Sequence, residues 1–230
     1  MLLEKGKMGG DCLNYGCVPS KALIAAAKHA HVIREGAAFG VSAGEPKVDF
    51  QRVHDHVHEV IDEIHKNDSV ERFTGLGVNV IQEAGHFTDR RTVMAGEHEI
   101  RARRFVIATG SGPLVPPIPG LDKVDYLTNE TLFDLTKLPK HLIIVGGGPI
   151  GVEMAQAFRR LGSEVTVLEA FKALGKDDPE LAERVLESVR ADGVVIREGT
   201  KVTKVAKFGR SGVRVTVQTD EGEETLDGSH

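Results

Sequence analysis

Residues 141–170 read HLIIVGGGPIGVEMAQAFRRLGSEVTVLEA, and this stretch decides the fold. His141–Val145 is a short apolar run of the kind that makes a buried strand. Gly146-Gly147-Gly148-Pro149-Ile150-Gly151 follows as G-x-G-x-x-G, and Ile150–Leu161 carries helical spacing. Val165–Leu168 predicts a second strand that ends in Glu169. Each glycine has a reason: Gly146 allows a tight turn, Gly148 lets backbone approach a pyrophosphate, and Gly151 lets helix and strand pack closely. The helix start, with Pro149 and Ile150, offers unpaired N–H groups and a partial positive charge to phosphates. Glu169 lies where a carboxylate would hold the ribose hydroxyls of an adenosine. It would also repel a 2′-phosphate, so NADH is favoured over NADPH, although Lys172 lies close by.

Outward from this unit, Pro179–Ala191 predicts another helix and Val194–Arg197, Lys201–Val205 and Val213–Gln218 predict strands. Alternating β and α elements imply a parallel sheet with helices on its faces. Upstream, Ser20 to Phe39 reads as a helix with Ser20 as N-cap and Gly40 near its end. A second helix is expected from Phe50 to Phe73, with Val53, Val57, Val60, Ile61 and Ile64 at helical spacing. Val78–Gln82, Thr92–Met94, Glu99–Arg101 and Phe105–Ala108 read as strands of an antiparallel meander. Gly110 to Pro113 and Pro116 to Gly120 are stiff and aperiodic, as a linker would be.

The chain has 230 residues, enough for one large or two modest domains, and its 26 glycines cluster in short runs rather than in a repeat. A net charge of −5 leaves no electrostatic footprint for nucleic acid. No apolar run approaches the roughly 18 residues of a membrane span, and no signal-peptide core is present, so the cytoplasm is the expected compartment. There are 2 cysteines, Cys12 and Cys17, in Gly9-Gly10-Asp11-Cys12-Leu13-Asn14-Tyr15-Gly16-Cys17-Val18-Pro19-Ser20-Lys21. On an ideal helix five residues rise about 7.5 Å, beyond the roughly 7 Å that disulfide geometry tolerates between Cα atoms. The segment must therefore leave helical geometry if the pair is to bond, and Gly16 and Pro19 permit that. Cys17 precedes a helix N-terminus, where the dipole favours a thiolate. A structural disulfide or half of a zinc site remain as alternatives, the latter short of two ligands.

This cysteine segment resembles the active-site signature of the pyridine nucleotide-disulfide oxidoreductases, the family of dihydrolipoamide dehydrogenase, glutathione reductase and mercuric reductase. Other motifs follow in the family's order. Glu4 resembles the acid that binds the FAD adenosine ribose, and Ala108-Thr109-Gly110 resembles the crossing point between the FAD and NAD domains. Gly146 to Glu153 resembles the NAD loop, whose closing glutamate lies by the nicotinamide. The resemblance implies an α/β protein of two Rossmann-like domains: a partial FAD-binding domain over 1–112, a linker over 113–137 and an NAD-binding domain over 138–230. It implies that NADH reduces the flavin and the flavin reduces the Cys12–Cys17 disulfide. Cys17 would face the flavin in a charge-transfer contact, Cys12 would exchange with substrate, and Lys21 would lie near the flavin ring. Gly9, Gly10, Asp11, Lys5, Gly85 and Val202 join the implied cofactor-binding set. Tyr15 stands where the family often has a smaller residue.

The resemblance also implies further chain on both sides: the family's first strand with its own FAD loop, and the interface domain with its His-Glu pair, a role His230 does not take. The 230 residues alone are therefore expected to hold FAD weakly and not to turn over. The implied substrate is a small thiol, disulfide or metal ion, and the implied assembly is a homodimer, doubtful for these residues alone. A flavin-free NAD-binding module or inert product is the alternative, and a flavin-free thiol redox sensor a third reading. His54 and His58 share a helix face and could chelate a metal, but a solvated polar face is the expectation. His29 and His31 are expected at the surface, and Arg159-Arg160 solvated or packed against acids.

Overall fold

The computed structural model describes residues 1–230 and opens with a two-residue strand, β1 (Leu2–Leu3). The glycine-rich segment then forms a short helix, α1 (Gly10–Asn14), absent from the sequence expectation, and a long one, α2 (Cys17–Glu35). Helix α2 begins at Cys17 rather than after Ser20, because Gly16 (φ −120°, ψ −116°) leaves the helical region and becomes the cap. Ser20 sits inside the first turn, its hydroxyl donating to the Cys17 carbonyl at 3.2 Å. A 3-10 turn over Gly36–Phe39 ends at Gly40.

The helix expected over Phe50–Phe73 is two, α3 (Phe50–His65) and α4 (Val70–Gly75). Asn67-Asp68-Ser69 interrupts the apolar stripe, and the Ser69 hydroxyl accepts from the Arg72 N–H at 3.2 Å, starting a new helix. Strand β2 (Val80–Ile81) pairs in parallel with β1 instead of joining the meander. The meander is β3 (Gly85–Phe87), β4 (Thr92–Ala95) and β5 (His98–Arg101), in spatial order β3-β4-β5. Phe105–Ala108 forms no strand. A strand needs a neighbour for its N–H and C=O groups; here Val106 is 92% and Ile107 72% exposed, and only the Phe105 ring finds a partner, edge-on to Phe87 at 5.0 Å.

The stretch that opened the sequence reading folds as read: β6 (His141–Val145), α5 (Pro149–Leu161), β7 (Glu164–Leu168), α6 (Pro179–Ala191) and β8 (Val195–Arg197). Strands β6, β7 and β8 form a parallel sheet in that order. The parallel pattern stops there. β9 (Lys201–Phe208), β10 (Gly212–Thr219) and β11 (Gly222–Gly228) form a separate antiparallel sheet. The tight turns between them are too short for the crossover that parallel neighbours require. Ser229 and His230 then run beside β6, with the Ile143 N–H donating to the His230 carbonyl at 2.9 Å.

One apolar cluster unites the chain's two halves. It contains Ala22, Leu23 and Ala27 of α2, Phe50 and Val57 of α3, Ala155, Ala157 and Phe158 of α5, Val167 of β7 and Leu186 of α6. Polar ties reinforce the seam. Asp192, at the end of α6, accepts from Gln156 Nε2 at 2.6 Å and Arg160 Nε at 2.9 Å, and its other oxygen lies 3.4 Å from His31 Nδ1. His31 is therefore half-buried between α2 and α6 rather than a free surface residue; its partner is too distant in sequence to be read. Arg160 and Arg159 pack against Asp192 as expected, and His29 is exposed. The His54 and His58 rings stack at 4.1 Å beside Asp55 and Asp134. No helix is long and apolar enough to cross a membrane.

Candidate active site

The glycine loop has three different glycines. Gly146 sits at φ 114°, a backbone conformation that side chains resist, and makes the turn out of β6. At Gly148 nothing lies within 4 Å of where a Cβ would be, so the backbone there is open to a ligand. At Gly151 an added Cβ would run into the Gly146 carbonyl oxygen and lie 3.4 Å from Ile144 Cγ2. Helix α5 can thus approach β6 only without a side chain at that point. Pro149 begins α5, and Ile150 beside it is 67% exposed. Glu169, at the end of β7, accepts from the Gly147 N–H at 2.8 Å and from the Phe171 N–H at 2.9 Å. Its carboxylate is fixed against the loop. An open glycine backbone, a helix start and a fixed acid fit the pyrophosphate and ribose of a dinucleotide.

The cysteines lie on either side of a helix break. Cys12 is in α1, Cys17 is the first residue of α2, and Tyr15 and Gly16 make the turn. A Cβ on Gly16 would come within 3.1 Å of both Cys12 Cα and the Asp11 carbonyl oxygen, so glycine lets the chain fold back on Cys12. Gly9, at φ 84°, is packed on Leu13, and Asn14 Nδ2 donates to the Met8 and Gly10 carbonyls at 3.0 and 2.8 Å. Both cysteines are free thiols at the surface. A hydrogen bond to the Cys17 thiol, aided by burial and the negative charge of Asp11, pushes the Cys12 thiol above its ordinary range; a backbone hydrogen bond from Cys17 opposes this more weakly. Alkylation of Cys12 by iodoacetamide, followed by peptide mass spectrometry across pH, should show a midpoint above the roughly 8.5 of a free thiol. Replacing Cys17 with alanine removes the largest cause and should lower it; an unchanged midpoint would refute the pairing.

A cavity of about 580 Å³ joins the two motifs. Asp11, Cys17 and Lys21 line it from the first half, Gly146, Ile150, Gly151 and Glu153 from the second. Lys21 Nζ lies 2.8 and 2.7 Å from the two carboxylate oxygens of Glu153, bridging 132 positions of sequence. Both side chains are about half exposed, so this pair contributes at most about 1 kcal/mol to stability. Its effect is to fix opposite charges at the cavity wall beside Cys17. The cavity is large enough for a ring system such as a flavin.

Other residues singled out in the sequence lie elsewhere. The Glu4 carboxylate accepts from the Gly6 N–H at 2.8 Å, and Lys5 beside it is exposed. Gly85 is a strand residue of β3, where a Cβ would come 2.8 Å from Leu3 Cδ1. Ala108, Thr109 and Gly110 are exposed in a stretch without helix or strand, and Val202 of β9 packs on the smaller core around Val215 and Val217. None of these, nor Gly9 or Gly10, lines the cavity. Conversely, Tyr126, Asn129 and Phe133 line it unannounced. They sit in turns without periodicity, and Asn129 Nδ2 donates to the Tyr15 carbonyl at 3.4 Å. His230 reaches the cavity too; burial pulls its imidazole below the usual pKa, and its Nδ1 faces Ser229 Oγ at 3.1 Å.

A dinucleotide loop and Cys17 of a cysteine pair, meeting across one cavity, define a flavoprotein disulfide oxidoreductase class. The profile described as pyridine nucleotide-disulphide oxidoreductase matches residues 1–229, and the chain belongs to that family. It is 34% identical over 236 residues to a mercuric reductase of Streptomyces lividans, covering 100% of this chain and 50% of that protein. A mercuric reductase of Lysinibacillus sphaericus is 32% identical over 229 residues, covering 96% and 42%. Among solved structures, LpdA from Mycobacterium tuberculosis superposes with a TM-score of 0.83 at 28% identity, over 99% of this chain and 50% of that one. The HOCl-induced flavoprotein disulfide reductase RclA from Escherichia coli gives 0.80 at 28% identity, over 99% and 48%. The chain thus spans about half the length of the curated relatives it matches.

Proposed function

We propose that this chain provides the nucleotide loop and thiol pair of an FAD-dependent, NADH-linked disulfide oxidoreductase. The observation that carries this reading is the shared cavity, with Cys17 and Lys21 on one wall and Gly146, Gly151 and Glu153 on the other. When bound, NADH and FAD supply the two electrons that reduce a disulfide. Gly148 and the start of α5 bind the pyrophosphate, and Glu169 orients the ribose and disfavours a 2′-phosphate. Cys17 faces the cavity, where Lys21 and Glu153 hold charge in place. Cys12 acts outward: its thiolate attacks one sulfur of a substrate disulfide and expels the other. The Cys17 thiolate then attacks Cys12, re-forming their disulfide and releasing the second substrate thiolate. The mercuric reductases among the relatives support a metal ion as alternative acceptor. In this reading residues 1–112 belong to the FAD domain, 113–137 link and 138–230 hold NADH; the complete enzyme is a cytoplasmic homodimer.

We also propose that the 230 residues alone retain FAD weakly. The exposure of Ala108, Thr109 and Gly110, and a cavity lining that does not include Glu4, support this. The test is an anaerobic absorbance spectrum in excess FAD, before and after NADH, with thiols counted at the end. With FAD in excess to offset weak retention, one reduction of the oxidised protein is expected to bleach the flavin band and yield two new thiols per chain, without further turnover. Bleaching without new thiols would overturn the relay, and near-stoichiometric flavin after gel filtration would overturn weak retention.

A further inference from the structure

Asp11 stands immediately before Cys12 on α1 and is exposed. Its carboxylate lies over the turn that joins the two cysteines. The point where a Cβ on Gly16 would sit is 3.3 Å from Asp11 Oδ2 and 3.1 Å from Cys12 Cα. No lysine, arginine or histidine forms an ion pair with it. Lys21, the cation on the cavity wall beside Cys17, is taken by both oxygens of Glu153, so that pair adds no net charge. Lys7 Nζ lies over the Tyr15 ring, 5.3 Å from its centroid. An unpaired negative charge therefore stands beside two exposed thiols. Its reach is seen at Cys12, whose thiol is pushed up chiefly by the hydrogen bond to Cys17 and in smaller part by the Asp11 charge.

We propose that Asp11 selects the charge of the acceptor that the dithiol reduces: neutral and cationic disulfides and thiophilic metal cations are taken, and disulfides that carry carboxylates are turned away. The inference rests on Cys12 and Cys17 being the exchanging thiols, as proposed above. In that exchange the Cys12 thiolate attacks one substrate sulfur, the substrate S–S bond breaks and one substrate thiolate leaves. Cys17 then displaces the second, so two electrons pass from the dithiol to the substrate. As a substrate sulfur reaches Cys12, any carboxylate it carries is brought toward Asp11, and like charges at short range raise the barrier. An ammonium or a metal cation is drawn in by the same charge. Because Asp11 is exposed, its effect is on substrate choice and encounter rate, and salt screens it.

The test compares two small aliphatic disulfides of opposite charge: cystamine, a dication, and dithiodipropionate, a dianion. The reduced chain is mixed with each in excess, and loss of its thiols is followed by quenched mass spectrometry at low salt and at about 1 M salt. The readout is the cystamine rate divided by the dithiodipropionate rate, because a change in folding or in general thiol reactivity moves both rates together. Asp11→Asn should lower this ratio about 3- to 10-fold at low salt, the size of one unit charge acting across several ångströms of water on acceptors of opposite sign. Asp11→Glu should keep the ratio within about twofold of the parent's. At about 1 M salt the parent and Asp11→Asn should converge. A ratio that Asp11→Asn leaves unchanged, or a fall that persists undiminished in high salt, overturns the role of Asp11 while leaving the thiol exchange intact. Failure of the parent to form the Cys12–Cys17 disulfide with either reagent overturns the exchange itself and the selection with it.

Discussion

Truncation of Phe158 to alanine should destabilise the protein by about 3–5 kcal/mol, the range for a large aromatic removed from a closed core. Phe158 is 0% exposed, and its ring centroid lies 5.8 Å from that of Phe50. It belongs to α5, and Phe50 to α3, so the lost contact is one between the thiol half and the nucleotide half. In a chain of this size each kcal/mol moves the melting temperature by about 2–4 °C. A fall of roughly 6–20 °C in a circular-dichroism melt is therefore expected. Leu181, 67% exposed on α6, is the control, and its truncation should stay within about 0.5 kcal/mol. A Phe158→Ala melt close to the parent's would mean that the two halves do not share a core.

Gly151→Ala should weaken NADH binding by about 5- to 140-fold, the affinity equivalent of the roughly 1–3 kcal/mol that overpacking costs. The added methyl meets the Gly146 carbonyl oxygen, which is backbone and cannot rotate away. Helix α5 must move off β6, taking its N-terminal N–H groups with it, and overpacking of this kind costs about 1–3 kcal/mol of stability. Gly148→Ala is the informative contrast. Nothing lies within 4 Å of its Cβ position, so the fold should tolerate the methyl while the phosphate approach is blocked. NADH fluorescence titration reads affinity, and a melt reads stability. Unchanged NADH affinity in Gly148→Ala would rule out this loop as the phosphate site.

The legible parts of the fold are those whose causes are local. The β6–α5–β7 unit shows as an apolar run, glycine punctuation and helical spacing within one window, and the structure follows it. Gly16 likewise announces the break between the cysteines. The errors arise where tertiary partners decide. Phe105–Ala108 has strand composition but no neighbour to pair with. Strand β11 is rich in acids and shows no alternation, yet it forms by pairing its backbone with β10 along its whole length, and Arg214 and Arg197 meet Asp227 and Glu224 from β10 and β8. Each arginine holds its partner carboxyl below the usual range, chiefly through the hydrogen bond between them. Half of the cavity was readable, since Cys17, Lys21 and Glu153 lie in motifs. The turns that supply Tyr126, Asn129 and Phe133 carry no period, and only folding brings them there.

Helices α2 and α5 pack against each other, and both bury alanines: Ala22 and Ala27 on the first, Ala155 and Ala157 on the second. Small residues let two backbones approach closely, and any larger replacement would wedge them apart. The first helix begins with Cys17 and the second carries Gly151 and Glu153, so widening the seam would separate the thiol from the nucleotide loop. Evolutionary drift in this chain is therefore channelled. The alanines buried on these helices must stay small, whereas rim positions such as Tyr15 and Tyr126 can vary and retune what reaches the thiols without disturbing the distance between the two chemistries.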